Sequence, residues 1–184
     1  HPHGVMSAES TRARLFFALW PDRGVRDALA AWAQAAQATC GGRATPADKL
    51  HLTLFFVGTV ERARIAALEA AAGAVRGEAF DLTLDTLGHW RHNRIVWAGA
   101  SRCPPALERL AQSLSAALAA QGFAGEARAY APHMTLVRNA ERRPHAIGVL
   151  PRAWGVREFV LAESAPAPGG VRYPVLRRWP LAAH

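Results

Sequence analysis

Two four-residue segments of the same chemistry, His51-Leu-Thr-Leu and His133-Met-Thr-Leu, stand 82 residues apart in the chain. Each follows a similar lead-in, RLFFALWPD from Arg14 and RIVWAGASR from Arg94, and these are 80 residues apart. Both lead-ins read as an apolar strand that feeds a helix. Matched offsets in matched elements imply a duplicated strand–helix–strand unit, giving two similar α+β lobes that share a face and each present one His-x-Thr strand. In an extended chain, residues i and i+2 project to the same side. His51 and Thr53 therefore share one face while Leu52 and Leu54 point to the core, and His133 and Thr135 stand in the same relation to Met134 and Leu136.

The remaining pattern is consistent with such a duplication. Strands are expected at Arg12–Trp20, Leu50–Val57, Ala79–Leu87, Arg94–Gly99, His133–Val137, Val156–Ala162 and Val171–Trp179. Helices are expected from Asp22 to about Ala38, from about Glu61 to Val75, and from Pro105 to the stop at Gly122. His89–Asn93 reads as a turn, Arg138–Arg152 as a basic, proline-interrupted loop, and Ala165–Gly170 as a turn between the last two strands. No linker divides the chain, so residues 12–184 are expected to form a single bilobal domain behind an N-terminal extension, residues 1–11. His1 and His3 around Pro2 read as an expression remnant ahead of a native start at Met6.

With 184 residues, 51% of them hydrophobic and 20% charged, the chain can bury one substantial core or two small lobes. No apolar run approaches the roughly 20 residues that cross a bilayer, so no membrane partner is expected. The opening segment also lacks an apolar signal core, and the chain is read as cytoplasmic. Cys40 and Cys103 are expected as free thiols. The net charge of +8 rests on 21 arginines and a single lysine, Lys49. A coding bias toward G and C supplies arginine without any partner, yet arginine is also the side chain that forks onto phosphate. Composition alone does not choose between these.

The motifs carry more. Imidazole titrates near 6.5, so of two rings facing one small volume, one can accept a proton while the other donates one. The hydroxyls of Thr53 and Thr135 suit non-bridging phosphoryl oxygens, and Arg138, five residues after His133, supplies positive charge for the transition state. This scheme calls for no metal and no cofactor. The sequence has no H-E-x-x-H, no paired C-x-x-C, and no Gly-rich Lys-Ser/Thr phosphate loop.

HLTLFFVG at His51–Gly58 and HMTLVR at His133–Arg138 resemble the paired signatures of the two-histidine phosphoesterases. From about Arg12 to Pro180, including LGHWRHNRIVWAG and EFVLAES, the chain is similar to the bacterial RNA 2′,3′-cyclic phosphodiesterase branch, historically called 2′-5′ RNA ligases. The resemblance implies a bilobal α+β fold, with two antiparallel sheets lining a central V-shaped cleft and helices outside. It implies as partners RNA ends or small nucleotides with a 2′,3′-cyclic phosphate, opened to a 2′-phosphate without a metal. Carried over by position, His51 is the general acid on the leaving 3′-oxygen and His133 the base that activates water, while Thr53, Thr135 and Arg138 hold the phosphate. Pseudo-symmetry leaves the opposite acid/base split chemically open. Reversible 2′-5′ RNA ligation, hydrolysis of another cyclic nucleotide, and a non-catalytic RNA-end-binding module stand as alternatives.

Further nucleotide contacts are expected around this core. Phe55 shares the cleft face with His51 if the strand is regular, and Phe56 takes that place if a bulge intervenes. Trp90, among polar neighbours, is a candidate for base stacking, and His92, with Arg91 or Arg94, for the cleft mouth. Arg142 and Arg143 are candidates for more distant RNA phosphates. Trp20, Trp32, Trp97, Trp154 and Trp179 read as packing residues. A monomer is expected, because both motif strands lie in one chain.

Overall fold

The apolar run that opens the first repeat forms strand β1 (Arg12–Leu19), and Asp22 caps the helix that follows by accepting a 2.9 Å bond from the Val25 amide. That helix, α1 (Arg23–Cys40), buries Val25, Leu29, Ala33, Ala36 and Cys40 along one face and ends at Gly41, whose φ is 73°. The computed structural model describes residues 11–124, 131–145 and 151–183. Apart from Thr11 the expected extension lies outside these residues, as do residues 146–150 of the expected basic loop.

A short strand β2 (Arg43–Ala44) precedes the first motif strand, β3 (Leu52–Glu61). Next come helix α2 (Ile65–Gly73) and strands β4 (Phe80–Leu84), β5 (Thr86–Trp90) and β6 (Ile95–Gly99). Helix α3 (Pro105–Ala119) carries Pro105 in its first turn and buries Leu107, Leu110, Ala111, Leu114 and Leu118. The second motif strand is β7 (His133–Arg138). Strands β8 (Arg152–Val156), β9 (Glu158–Glu163), β10 (Ala165–Ala167), β11 (Gly170–Arg172) and β12 (Val175–Pro180) complete the order.

The expected duplication is present as β1-α1-β3 and β6-α3-β7. The strands lie in the order β12-β9-β1-β3-β7-β6-β5, and β3 meets β7 at one register pair, Leu52 opposite Met134. Two antiparallel halves therefore diverge from a single point of contact, one residue beyond each motif histidine. The edge of β7 that faces this divergence is taken by β2, with Arg43 opposite Arg138. Each half also borrows a strand from the other repeat: β9 lies against β1, and β5 against β6. Behind the sheet α1 packs on β7 and α3 on β3, so each repeat's helix supports the other's motif strand. A single main buried cluster runs through both halves, including Phe17, Leu52, Leu82, Val96, Leu114 and Trp154.

Several boundaries differ from expectation for local reasons. The strand expected over Ala79–Leu87 is broken into β4 and β5 at Asp85, whose carboxylate accepts from the Ser101 amide at 2.8 Å and hydroxyl at 2.6 Å. Trp90 ends β5 instead of lying in the turn. Arg152–Val156, expected within or beside a loop, pairs with β4, placing Trp154 opposite Leu82. Tyr173-Pro174 divides the last expected strand into β11 and β12, because proline has no amide proton for the ladder. Glu61–Val75 holds a 3₁₀ turn at Arg62–Arg64 and only nine residues of α-helix.

Candidate active site

The two motif histidines are held by the same device. His51 Nδ1 lies 2.8 Å from the carbonyl of Lys49, and His133 Nδ1 lies 3.1 Å from the carbonyl of Ala131. A carbonyl only accepts, so each Nδ1 carries the proton and each Nε2 is left for proton exchange. The acceptor is two residues upstream in both cases, which is the repeat expressed in hydrogen bonds.

The divergence between β3 and β7 leaves a cavity of about 410 Å³ lined by His51, Thr53, His133, Thr135 and Arg138. All five residues expected to act on phosphate are thus brought to one cleft. Arg43, Lys49 and Tyr173 line it as well and were not singled out from the sequence. Arg43 enters because β2 adds to β7: the Thr45 amide donates to the Leu136 carbonyl at 2.8 Å and the Thr45 hydroxyl to that of Thr135 at 3.1 Å. Gly42 permits this approach, since its φ is 80° and a Cβ there would stand 2.5 Å from the Arg138 carbonyl oxygen. No local pattern announces a pairing between residues 43 and 138.

The environments of the two imidazoles differ. Trp20 stacks on His51 with ring centroids 4.8 Å apart, Phe16 lies at 5.0 Å, and Tyr173 presents an edge at 5.2 Å. Trp20 thus does more than the packing read from the sequence. Burial in this box pushes the His51 pKa below 6.5; its hydrogen bond to the Lys49 carbonyl opposes the shift, and the positive charges of Arg138 and His133 reinforce it. Among the described residues His133 meets one aromatic partner, the edge-on ring of Trp90 at 4.7 Å. Trp90 rests in turn on Trp97 at 5.4 Å, and Trp97 lies across Gly88, where a Cβ would stand 2.0 Å from its ring. Trp97 is therefore part of the His133 wall.

The outer candidates separate. A register shift between Phe17 and Ala18 places two residues of β3, Thr53 and Leu54, against one of β1, so Phe55 turns inward and is 8% exposed in the main core. Phe55 is thus removed as a nucleotide contact. Phe56 pairs with Phe16, which touches His51, and stands 51% exposed on that face with the Arg14 guanidinium 4.8 Å from its ring centroid. Trp90 reaches the site through His133, whereas His92 lies in the exposed turn beyond it, 6.3 Å from the Trp90 ring. Arg142 and Arg143 do not line the catalytic cleft; they line a separate groove. Among the described residues no group of three or more His, Cys, Asp or Glu side chains is placed to hold a metal ion.

Comparison with known proteins places this geometry. The RNA 2′,3′-cyclic phosphodiesterase of Escherichia coli (strain K12) is 37% identical over 172 residues, covering 91% of this chain and 96% of that protein. A protein of the same name from Archaeoglobus fulgidus is 27% identical over 174 residues, covering 89% and 98%. The crystal structure of E. coli LigT complexed with 3′-AMP superposes with a TM-score of 0.81 at 37% identity, over 92% of this chain and 98% of that one. The 2′-5′ RNA ligase superfamily model matches residues 25–164, which include both His-x-Thr strands and Arg138. The chain belongs to the 2′-5′ RNA ligase superfamily, the two-histidine phosphoesterases.

Proposed function

We propose that this protein hydrolyses 2′,3′-cyclic phosphate ends of RNA or small nucleotides to 2′-phosphates. The observation that carries this reading is the pair of imidazoles, each with Nδ1–H fixed on a carbonyl two residues upstream, in one cleft with two threonine hydroxyls and Arg138. The names of the E. coli and A. fulgidus relatives support the choice of substrate.

In the proposed mechanism His133 Nε2 takes a proton from water as its oxygen bonds to phosphorus. The P–O3′ bond breaks, and His51 Nε2 delivers its proton to the departing 3′-oxygen. Hydrogen bonds from Thr53 and Thr135 and the charge of Arg138 stabilise the negative charge that accumulates on the non-bridging oxygens. His133 leaves the cycle protonated and His51 neutral, and exchange with solvent resets both. A buried imidazolium is the stronger proton donor, which suits His51 to the acid role. The bound phosphate's negative charge and the face of Trp20 favour loading it with a proton.

Both motif strands come from one chain, so the proposal takes a monomer as the working unit and residues 12–184 as one bilobal domain. No helix of the described residues is long and apolar enough to cross a membrane. Cytoplasmic RNA is the proposed setting, in keeping with the free thiols of Cys40 and Cys103. The test is product analysis with a short RNA ending in a 2′,3′-cyclic phosphate. Accumulation of the 2′-phosphate supports the reading, whereas binding without turnover sinks it in favour of an end-binding module.

A further inference from the structure

A second groove, about 1050 Å³ in volume, lies between the β5–β6 turn and the segment that follows β7. Four guanidinium groups line it, those of Arg91, Arg94, Arg142 and Arg143, against one carboxylate, Glu141, among the described lining residues. Glu141 is spoken for by Arg142 at 3.2 Å, and Arg91, Arg94 and Arg143 make no ion pair among the described residues. The frame beneath them is hydrogen-bonded. The Ala140 amide donates to the Arg94 carbonyl at 2.9 Å, tying one wall to the other, and the Glu141 and Arg142 amides donate to the Cys40 carbonyl at 2.8 and 3.2 Å. Arg94 is held in the left-handed region, with φ at 55°, which a long side chain adopts only when its surroundings impose it.

Both walls begin where the catalytic cleft ends. Trp90, whose ring touches His133, is followed directly by Arg91. Arg138, which lines the cleft, leads through Asn139, also left-handed with φ at 56°, to Ala140 on the groove. Arginines that pair with no described carboxylate, set along a path that leaves a phosphate site, match a chain of phosphodiesters.

We infer that this groove binds the phosphodiester backbone of the RNA upstream of the cyclic end, making oligoribonucleotides the preferred substrate over cyclic mononucleotides. The inference rests on the proposed phosphodiesterase reading for the identity of the polyanion. It takes the enzyme as one that grips an RNA 3′ end at two places, chemistry in the cleft and charge beside it. Upstream contacts of this kind supply affinity without base preference, and they weaken steeply with salt.

The test compares a hexaribonucleotide ending in a 2′,3′-cyclic phosphate with the corresponding cyclic mononucleotide. Wild type, Arg91→Gln/Arg142→Gln/Arg143→Gln and Glu141→Gln are assayed across a salt series. The expected result is a wild-type preference for the hexamer that falls about tenfold or more in the triple variant, with cyclic mononucleotide kcat/KM unchanged. The salt slope for the hexamer should fall by about 0.7 for each phosphate that the variant no longer neutralises, and Glu141→Gln should raise hexamer use. A triple variant that keeps the preference, or a wild type without one, overturns the inference. Anisotropy of a labelled hexamer ending in a 2′-phosphate reads binding without turnover. If neither substrate is opened but the triple variant loses hexamer binding, the catalytic reading fails and the groove stands. If hexamer binding survives all three substitutions, the groove is not an RNA site, and an acidic protein partner becomes the occupant to seek.

Discussion

Trp20 lies face to face on His51, with ring centroids 4.8 Å apart and ring planes inclined by 19°. The stack arises because β1 runs beside β3, so the residue just past the end of β1 comes level with the histidine that precedes Leu52. It encloses the imidazole from one side while Tyr173 closes another. The ring is thereby partly desolvated, and its neutral form is favoured.

Replacing Trp20 by Leu should therefore raise the His51 pKa back toward 6.5, read from the pH dependence of the His51 ring proton by NMR. An unchanged titration would show that the aromatic box is not the cause of the shift.

The same shift links stability to pH. The folded-state pKa of His51 is depressed, so its contribution is fully present above about pH 6.5 and is lost as pH falls through the folded value. Denaturant midpoints measured from pH 7.5 to 5 should decline more steeply for wild type than for His51→Gln.

The acid and base roles separate on a substrate whose leaving 3′-oxygen is replaced by sulfur. A thiolate departs without protonation, so His51→Ala should regain most of its lost rate on the 3′-thio substrate, and His133→Ala should not. Recovery in His133→Ala alone would reverse the assignment.

Thr53→Val and Thr135→Val should each lower kcat by about a hundredfold, with a smaller effect on KM, because a hydroxyl donor matters most where charge develops. Steady-state kinetics on the cyclic mononucleotide reads this directly. Equal losses in KM alone would make the hydroxyls ground-state binders.

Gly88→Ala puts a Cβ 2.0 Å from the Trp97 ring and should cost about 1–3 kcal/mol in urea unfolding, as overpacking does. Gly73→Ala is the control. It ends α2, its added Cβ meets the Trp179 indole nitrogen at an ordinary 3.6 Å, and the change should be neutral or stabilising.

The legible part of this molecule is the part fixed by short-range geometry. Two-residue alternation placed His51 beside Thr53 and His133 beside Thr135 on one face, and the 82-residue offset between the histidines implied that the two faces meet. Arg43 stayed hidden because its position depends on a two-residue strand pairing across the chain with β7. The choice between Phe55 and Phe56 turned on a bulge that periodicity does not reveal, and the bulge sends Phe56 outward. Trp20 and Trp97 read as packing because apolar neighbours surround them in sequence, although both lie in walls that hold a motif histidine, Trp20 directly and Trp97 through Trp90. Arg152–Val156 looked irregular until its partner β4 was in place.

The most direct test of the central claim is to incubate wild type, His51→Ala and His133→Ala, with EDTA present, with a short RNA ending in a 2′,3′-cyclic phosphate, and to resolve the 2′- and 3′-phosphate products. Two-histidine proton transfer requires chelator-insensitive opening to the 2′-phosphate by wild type, reduced by about a thousandfold or more in each variant. Opening that persists at the wild-type rate in either variant would contradict the account.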